Sequence, residues 1–213
     1  MDTLPENLRE VSPTVFASVP RIWEKFASMI EIRMSDSTLL KKALYRLAVN
    51  AGLKYVRTPK GTMKRRNWAL LYWPLYLLVL YPLKRRLGFE RVRLAVCGAA
   101  PASPELFEYY NALGIPLREG YGQTESTGVI ALQRLERPRW GYVGEPIPGV
   151  EVKIAEDGEI LARGVGVFQG YLKDPQLTAE TIKDGWLHTG DVGALEDGFL
   201  KILDRKKDIL ITA

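Results

Sequence analysis

The sequence predicts an α/β protein in which a parallel-sheet subdomain is followed by a β-rich one. Residues 91–125 read as a βαβ-type unit: a short strand, a capped helix and the start of a second strand. From about residue 140, glycine and proline punctuate short alternating runs. Between such runs stand Asp-Gly dipeptides at Asp157, Asp184 and Asp197, a strong short-range hairpin signal. With 213 residues, 46% apolar and 26% charged, the chain can bury a core and is neither disordered nor collagen-like.

Composition narrows the chemistry. Cys97 is the only cysteine, which excludes an internal disulfide and a cysteine zinc cluster and fits a reducing compartment. His188 is the only histidine, so neither a multi-histidine metal site nor a triad with a spare base can be built. The net charge of +5 is mild and does not argue for nucleic acid. The first residues lack the basic and apolar regions of a targeting signal.

Taken in order, residues 12–53 read as helical. Pro20 suits a first turn, and Ile22, Trp23, Phe26, Met29 and Ile30 recur at helical spacing. Leu39, Leu40, Ala43, Leu44, Leu47, Ala48 and Ala51 repeat the period up to Gly52. The run from 68 to 83 is uncharged, holds Trp68, Trp73, Tyr72, Tyr76 and Tyr81, and lies between Lys64-Arg65-Arg66 and Lys84-Arg85-Arg86. It is short for a membrane span and interrupted by Pro74 and Pro82. Three readings stay open: a buried helical hairpin with solvated basic ends, an interfacial element, and a span.

Residues 92–97 form a strand that ends at Gly98. Ser103-Pro104-Glu105 opens a helix that closes at Gly114, and Leu117 starts the next extended segment. Ligands in such sheets bind beyond the carboxyl ends of strands. Those ends carry Gly98-Ala99-Ala100-Pro101 and Glu119-Gly120-Tyr121-Gly122-Gln123-Thr124-Glu125. The second segment holds a flat aromatic between glycines, a hydroxyl suited to phosphate, and a hard carboxylate suited to Mg²⁺; taken alone it reads equally as a Gly-rich connection with an incidental Thr and Glu. Asp191 can accept from both ribose hydroxyls, and Arg205 can donate to the same sugar or to a phosphate. His188 reads as a structural hydrogen-bonding residue, and Cys97 as a small buried hydrophobe.

Together these segments identify a resemblance. The chain resembles the adenylate-forming (AMP-binding) superfamily, most closely its long-chain acyl-CoA synthetases. The matching pieces are Val19-Pro20-Arg21-Ile22-Trp23-Glu24-Lys25; Cys97-Gly98-Ala99-Ala100-Pro101; residues 119–125; Arg163-Gly164 with Val167-Phe168-Gln169-Gly170-Tyr171; Gly185-Trp186-Leu187-His188-Thr189-Gly190-Asp191; and Asp204-Arg205-Lys206-Lys207-Asp208. The resemblance implies ATP-dependent ligation of a fatty acid to coenzyme A through an acyl-adenylate. It implies that Gly98, Ala99 and Ala100 line the adenine pocket beside Glu119, Gly120, Tyr121, Gly122 and Gln123, with Tyr121 on the base. Thr124 then contacts phosphate, Glu125 binds Mg²⁺, Asp191 and Arg205 hold the ribose, and Lys207 is the hinge of the C-terminal lid.

The implied architecture is an α/β subdomain over 1–138, with a helical insertion at about 28–90. A β-rich, barrel-like subdomain follows over 139–203, then a hinge and lid stub over 204–213. The family's phosphate loop and its lid lysine fall outside these residues, so the chain reads as the central part of a longer enzyme, itself expected to be inactive. Other adenylate-formers (aryl-CoA ligases, adenylation domains) and a non-catalytic truncated relative are the alternatives. The expected partners are fatty acid, ATP and CoA, with no nucleic acid. A cytoplasmic, membrane-peripheral placement through residues 68–83 is expected, and the oligomeric state stays open, a homodimer included.

Overall fold

Trp23 is fully buried, and the first half of the chain is built around it. In the computed structural model, which describes residues 3–206, the chain divides into two units between Arg118 and Glu119. The composition of the sequence changes later than this, at 138/139, the boundary expected from the sequence.

The first unit runs α1 (Leu4–Val11), β1 (Val15–Ser18), α2 (Pro20–Ser35), α3 (Leu39–Arg57), α4 (Met63–Leu75), a π-helical segment (Tyr76–Leu80), α5 (Tyr81–Arg86), β2 (Leu94–Cys97) and α6 (Pro104–Ala112). β1 lies inside the stretch expected to be helical; its Val-Phe pair and extended Val19 before Pro20 favour a strand. It pairs in parallel with β2, from Val15 opposite Leu94 to Ser18 opposite Cys97. Trp23 donates to the Val96 carbonyl (3.3 Å), accepts on its own carbonyl from the Tyr110 hydroxyl (2.5 Å), and stacks on Phe89. α6 opens as its sequence predicts, with the Ser103 side chain accepting from the Leu106 amide.

Two expectations fail. Gly52 does not end α3, which continues to Arg57. An added Cβ there would lie 2.7 Å from the Ala112 carbonyl oxygen, so the glycine is a notch that lets α3 approach α6. Nor do the prolines break the run 68–83 or fold it into a hairpin. α4 passes through Pro74, and a widened turn, in which the Tyr81 amide bonds the Tyr76 carbonyl, carries it into α5. The partner of α4 is α3, through the Tyr55–Tyr72 stack (4.9 Å between centroids) and Arg65 bonding the Thr58 carbonyl (2.8 Å). Lys84, read as part of a solvated end, is buried: its ammonium donates to the Gly114 carbonyl (2.8 Å), and burial lowers its pKa. Among the described residues, no helix is long and apolar enough to cross a membrane.

The second unit contains β3 (Leu117–Tyr121, entered from the first unit), a 3₁₀ turn (Thr124–Ser126), β4 (Ala131–Leu132), β5 (Glu145–Pro146), β6 (Val150–Ile154), β7 (Glu159–Gly164), α7 (Pro175–Thr181), β8 (Ile182–Lys183), β9 (Trp186–Glu196) and β10 (Phe199–Arg205). An antiparallel sheet runs β10-β9-β7-β6, with β8 also on β9. β3, β4 and β5 pair antiparallel. The Asp184-Gly185 and Asp197-Gly198 turns both have positive φ at both residues, as a type I′ turn requires. α7 is unforeseen in a stretch read as all-β; Asp174 caps it by accepting from the Leu177 amide (2.9 Å), with Pro175 in its first turn. Tyr121, Ile130, Val143, Ile160, Leu187 and Leu200 form the core.

The α3–α6 notch yields a stability test. Gly52→Ala gains about 1 kcal/mol of helix propensity. It also drives a methyl into a backbone oxygen that cannot rotate away, and such overpacking costs about 1–3 kcal/mol. The expected outcome is net destabilisation, read as a lower urea midpoint at unchanged slope.

Candidate functional site

β7 and β9 pair Leu161 with His188 and Glu159 with Val192, so Thr189, Gly190 and Asp191 together oppose the single residue Ile160. This bulge aims Asp191. Gly190 sits there at φ +71, where a Cβ would meet nothing within 4 Å, so its requirement is conformational rather than spatial. The backbone groups displaced by the bulge find other partners. Thr189 Oγ1 donates to the Ile160 carbonyl (2.7 Å), and the Gly190 amide donates to Glu159 Oε1 (2.9 Å). On the other side, Arg205 of β10 lies directly opposite Asp191.

Asp191 is buried, with 5% of its surface exposed, and its carboxylate collects three side-chain donors. Tyr121 Oη (2.7 Å) and Gln123 Nε2 (2.8 Å) share Oδ2, and Arg205 Nε (3.2 Å) reaches Oδ1. Gln123 also donates to the Thr189 carbonyl (2.8 Å), so one amide spans the bulge. Tyr121, sought for its flat face, is 7% exposed and packed in the core. Burial raises its hydroxyl pKa, which keeps it a donor to Asp191. Gly122 permits the turn that follows: an added Cβ would fall 1.5 Å from the Gly128 oxygen. Ser126 Oγ accepts from the Gln123 amide (3.0 Å) and donates to the Gln123 carbonyl (2.9 Å), closing that turn.

The turn leaves Thr124 exposed and Glu125 half-buried. Glu125 Oε1 accepts from the Tyr171 hydroxyl (2.7 Å), and its carbonyl accepts from the Phe168 amide (2.8 Å). Tyr171 lies in a recognised motif, yet no spacing rule connects it to a residue 46 positions away. Among the described residues, no group of three or more His, Cys, Asp or Glu could hold a metal by itself. A single carboxylate at Glu125 fits Mg²⁺, which takes one or two carboxylates and completes its shell with phosphate oxygens and water.

Gly98, Ala99 and Ala100 belong to the first unit, in the loop after β2. Ala99 holds φ +68, a left-handed conformation that costs a non-glycine residue energy and concentrates at ligand-contacting turns. Ala99 and Ala100 are exposed and Gly98 is half-buried. Lys207 lies outside the described residues.

One cluster went unread. Buried Glu159 receives Lys206 Nζ (2.9 Å) and faces His188 Nδ1 (3.1 Å) at Oε2, while Lys206 also binds Asp157 Oδ2 (2.6 Å). Burial alone would raise the Glu159 pKa; Lys206, His188 and the Gly190 amide outweigh it and hold it below the usual range. Glu119 is the opposite case: burial with no compensating cation pushes it up to about 7. Asp157-Gly158 was legible as a turn, but the residues that turn brings together are distant in sequence.

The family follows from comparison. The AMP-binding enzyme model matches residues 1–172. The chain belongs to that family. Long-chain-fatty-acid–CoA ligase FadD15 of Mycobacterium bovis is 38% identical over 206 residues, covering 94% of this chain and 33% of that protein. Long-chain-fatty-acid–CoA ligase 5 of Mus musculus is 37% identical over 220 residues, covering 97% of this chain and 31% of that protein. The chain thus spans about a third of the length of these relatives. Its fold is that of the Bacillus subtilis O-succinylbenzoate coenzyme A synthetase solved in complex with ATP and magnesium ion, with TM-score 0.62 at 21% identity over 96% of this chain and 35% of that one. The likeness extends from the α/β part through the antiparallel sheet, as expected for an AMP-binding enzyme.

The two carboxylates predict opposite pH effects. Glu159 has a lowered folded pKa, so its stabilisation is present above the unfolded carboxylate value of about 4.3 and is lost as pH falls through the folded value. Glu119 has a raised one, so its penalty is absent in acid and grows as pH rises from about 4.3 towards 7. Urea titrations across pH should find Glu159→Gln destabilised near neutrality, by about 1–3 kcal/mol, and close to the parent in acid. Glu119→Gln should be stabilised near neutrality and unchanged in acid.

Proposed function

We propose that the protein carrying this chain ligates a long-chain fatty acid to coenzyme A with ATP, through an acyl-adenylate. The support is the family, the named substrates of the relatives, and a buried carboxylate set among donors at a strand bulge. A fatty carboxylate oxygen attacks the α-phosphorus of ATP, forming the mixed anhydride and releasing pyrophosphate. The thiol of CoA, losing its proton, then attacks the acyl carbonyl and expels AMP, leaving the thioester. The carboxylate is its own nucleophile, so this part of the chain has only to bind, orient and neutralise.

Several residues of the second unit have a place in that scheme. Asp191 accepts the two ribose hydroxyls, and Tyr121 and Gln123 fix its orientation. An ionised carboxylate offers about four acceptor sites, and three are already taken. Two hydroxyls therefore require one donor to leave, and Arg205 is the candidate, being the longest bond at 3.2 Å from a side chain 71% exposed. Released, it can donate to the sugar or a phosphate oxygen. Thr124 donates to phosphate. Glu125, steadied by Tyr171, would hold Mg²⁺, which when bound offsets the negative charge of the phosphates.

Asp191 carries the test. Titration calorimetry with a non-hydrolysable acyl-adenylate analogue should find Asp191→Ala weakened by about 2–4 kcal/mol, the loss of two hydrogen bonds to a charged acceptor. Arg205→Ala should lose less, because it empties a site the ribose needs while removing one donor. Unchanged affinity in Asp191→Ala would overturn the assignment.

A further inference from the structure

Helices α4 and α5, joined by their π-helical segment, form one rod whose exposed positions recur with helical spacing along its length. On one side, Tyr72, Leu75, Leu80 and Lys84 are buried against the rest of the first unit. The other side should be polar if it faced only water. It is apolar: Leu70 is 74% exposed, Trp73 49%, Leu77 64%, Leu78 70% and Tyr81 41%.

The basic clusters at the two ends are sorted by the fold. Lys84 and Arg65 turn inward, to the Gly114 and Thr58 carbonyls. Lys64, Arg66, Arg85 and Arg86 are exposed, Arg66 and Arg85 at positions that continue the apolar stripe. At about 1.5 Å per residue, the two pairs stand roughly 30 Å apart. The surrounding sequence carries no counter-charge: between Asp36 and Glu90 there are twelve Lys or Arg and no Asp or Glu.

We propose that this face docks on an anionic lipid surface, with the rod lying in the plane of the interface, Leu70, Trp73, Leu77 and Leu78 inserted and the four outward basic residues on headgroups. The proposal does not depend on the reaction proposed above. Several features favour lipid over other occupants. Tryptophan and tyrosine beside leucine suit the headgroup boundary, and Lys and Arg flanking them suit negative charge. A second copy is disfavoured, because two such rods stacked in either direction bring basic ends against basic ends. A span is ruled out by the burial of one whole side of the rod against protein.

The test uses the whole protein in which this chain occurs, with vesicles of phosphatidylcholine alone or with about one third phosphatidylglycerol. The parent should co-sediment with the anionic vesicles, bind neutral ones about tenfold more weakly, and lose part but not all of its binding in high salt. Leu77→Glu with Leu78→Glu should cut anionic-vesicle binding about tenfold or more, as should Arg85→Glu with Arg86→Glu. All four positions are exposed, and an unchanged circular dichroism spectrum verifies folding. Leu172→Glu, at a 91% exposed leucine of the second unit, should bind as the parent does. A parent that stays in the supernatant overturns the proposal. So do variants that bind undiminished, and so does a self-association abolished by the leucine substitutions without any lipid binding.

Discussion

A carboxylate removed from water must be paired, and the second unit is arranged around satisfying that requirement for Asp191. Desolvating an ionised carboxylate costs several kcal/mol before any partner is counted. The partners come from three segments: Tyr121 at the end of β3, Gln123 in the turn after it, and Arg205 at the end of β10. The bulge opposite Ile160 delivers the carboxylate, and Gly190 supplies the φ the bulge needs.

The bulge has a support of its own. An extra stretch in a strand leaves amides without ladder acceptors, and a buried orphan amide costs about 1–3 kcal/mol. Glu159 accepts the Gly190 amide with one oxygen and faces Lys206 and His188 with the other. A second buried carboxylate therefore holds the backbone that aims the first. Lys206 follows Arg205 directly, so the Glu159 bond also fixes the end of β10, from which Arg205 reaches Asp191.

Local features were legible in the sequence because local chemistry decides them. Ser103-Pro104, Asp184-Gly185 and Asp197-Gly198 need only their own backbone, and each forms what it predicts. The motifs at the candidate site carried the resemblance, and the family they pointed to is the one the chain belongs to. What was misread depends on partners. Gly52 looked like a helix stop because a one-dimensional reading cannot see Ala112 across from it. Pro74 and Pro82 looked like breaks because the cost of a lost amide is local, whereas the packing of Tyr72, Leu75 and Leu80 that keeps the helix together is not. Lys84 looked solvated among its basic neighbours until the Gly114 carbonyl claimed it. Tyr171 and Glu159 act at residues 29–47 positions away, a separation at which no spacing rule speaks.

Arg205 brings these constraints to one point. Unlike Tyr121, which is tied to Asp191 from within the core, Arg205 keeps its side chain 71% exposed and contributes a longer bond. Breaking an ion pair with both partners buried costs about 3–5 kcal/mol, but an exposed cation regains water on leaving, and such pairs contribute about 0–1 kcal/mol. Losing Arg205 from Asp191 is therefore cheap for the arginine and costly only for the carboxylate, until another donor arrives. On the reading proposed above, ribose hydroxyls are that donor. Arg205 then acts as a placeholder that keeps Asp191 paired in the empty site, while Tyr121 and Gln123 hold its geometry in both states. The division of labour follows from burial: the two donors that cannot leave set the direction, and the one that can leave sets the exchange.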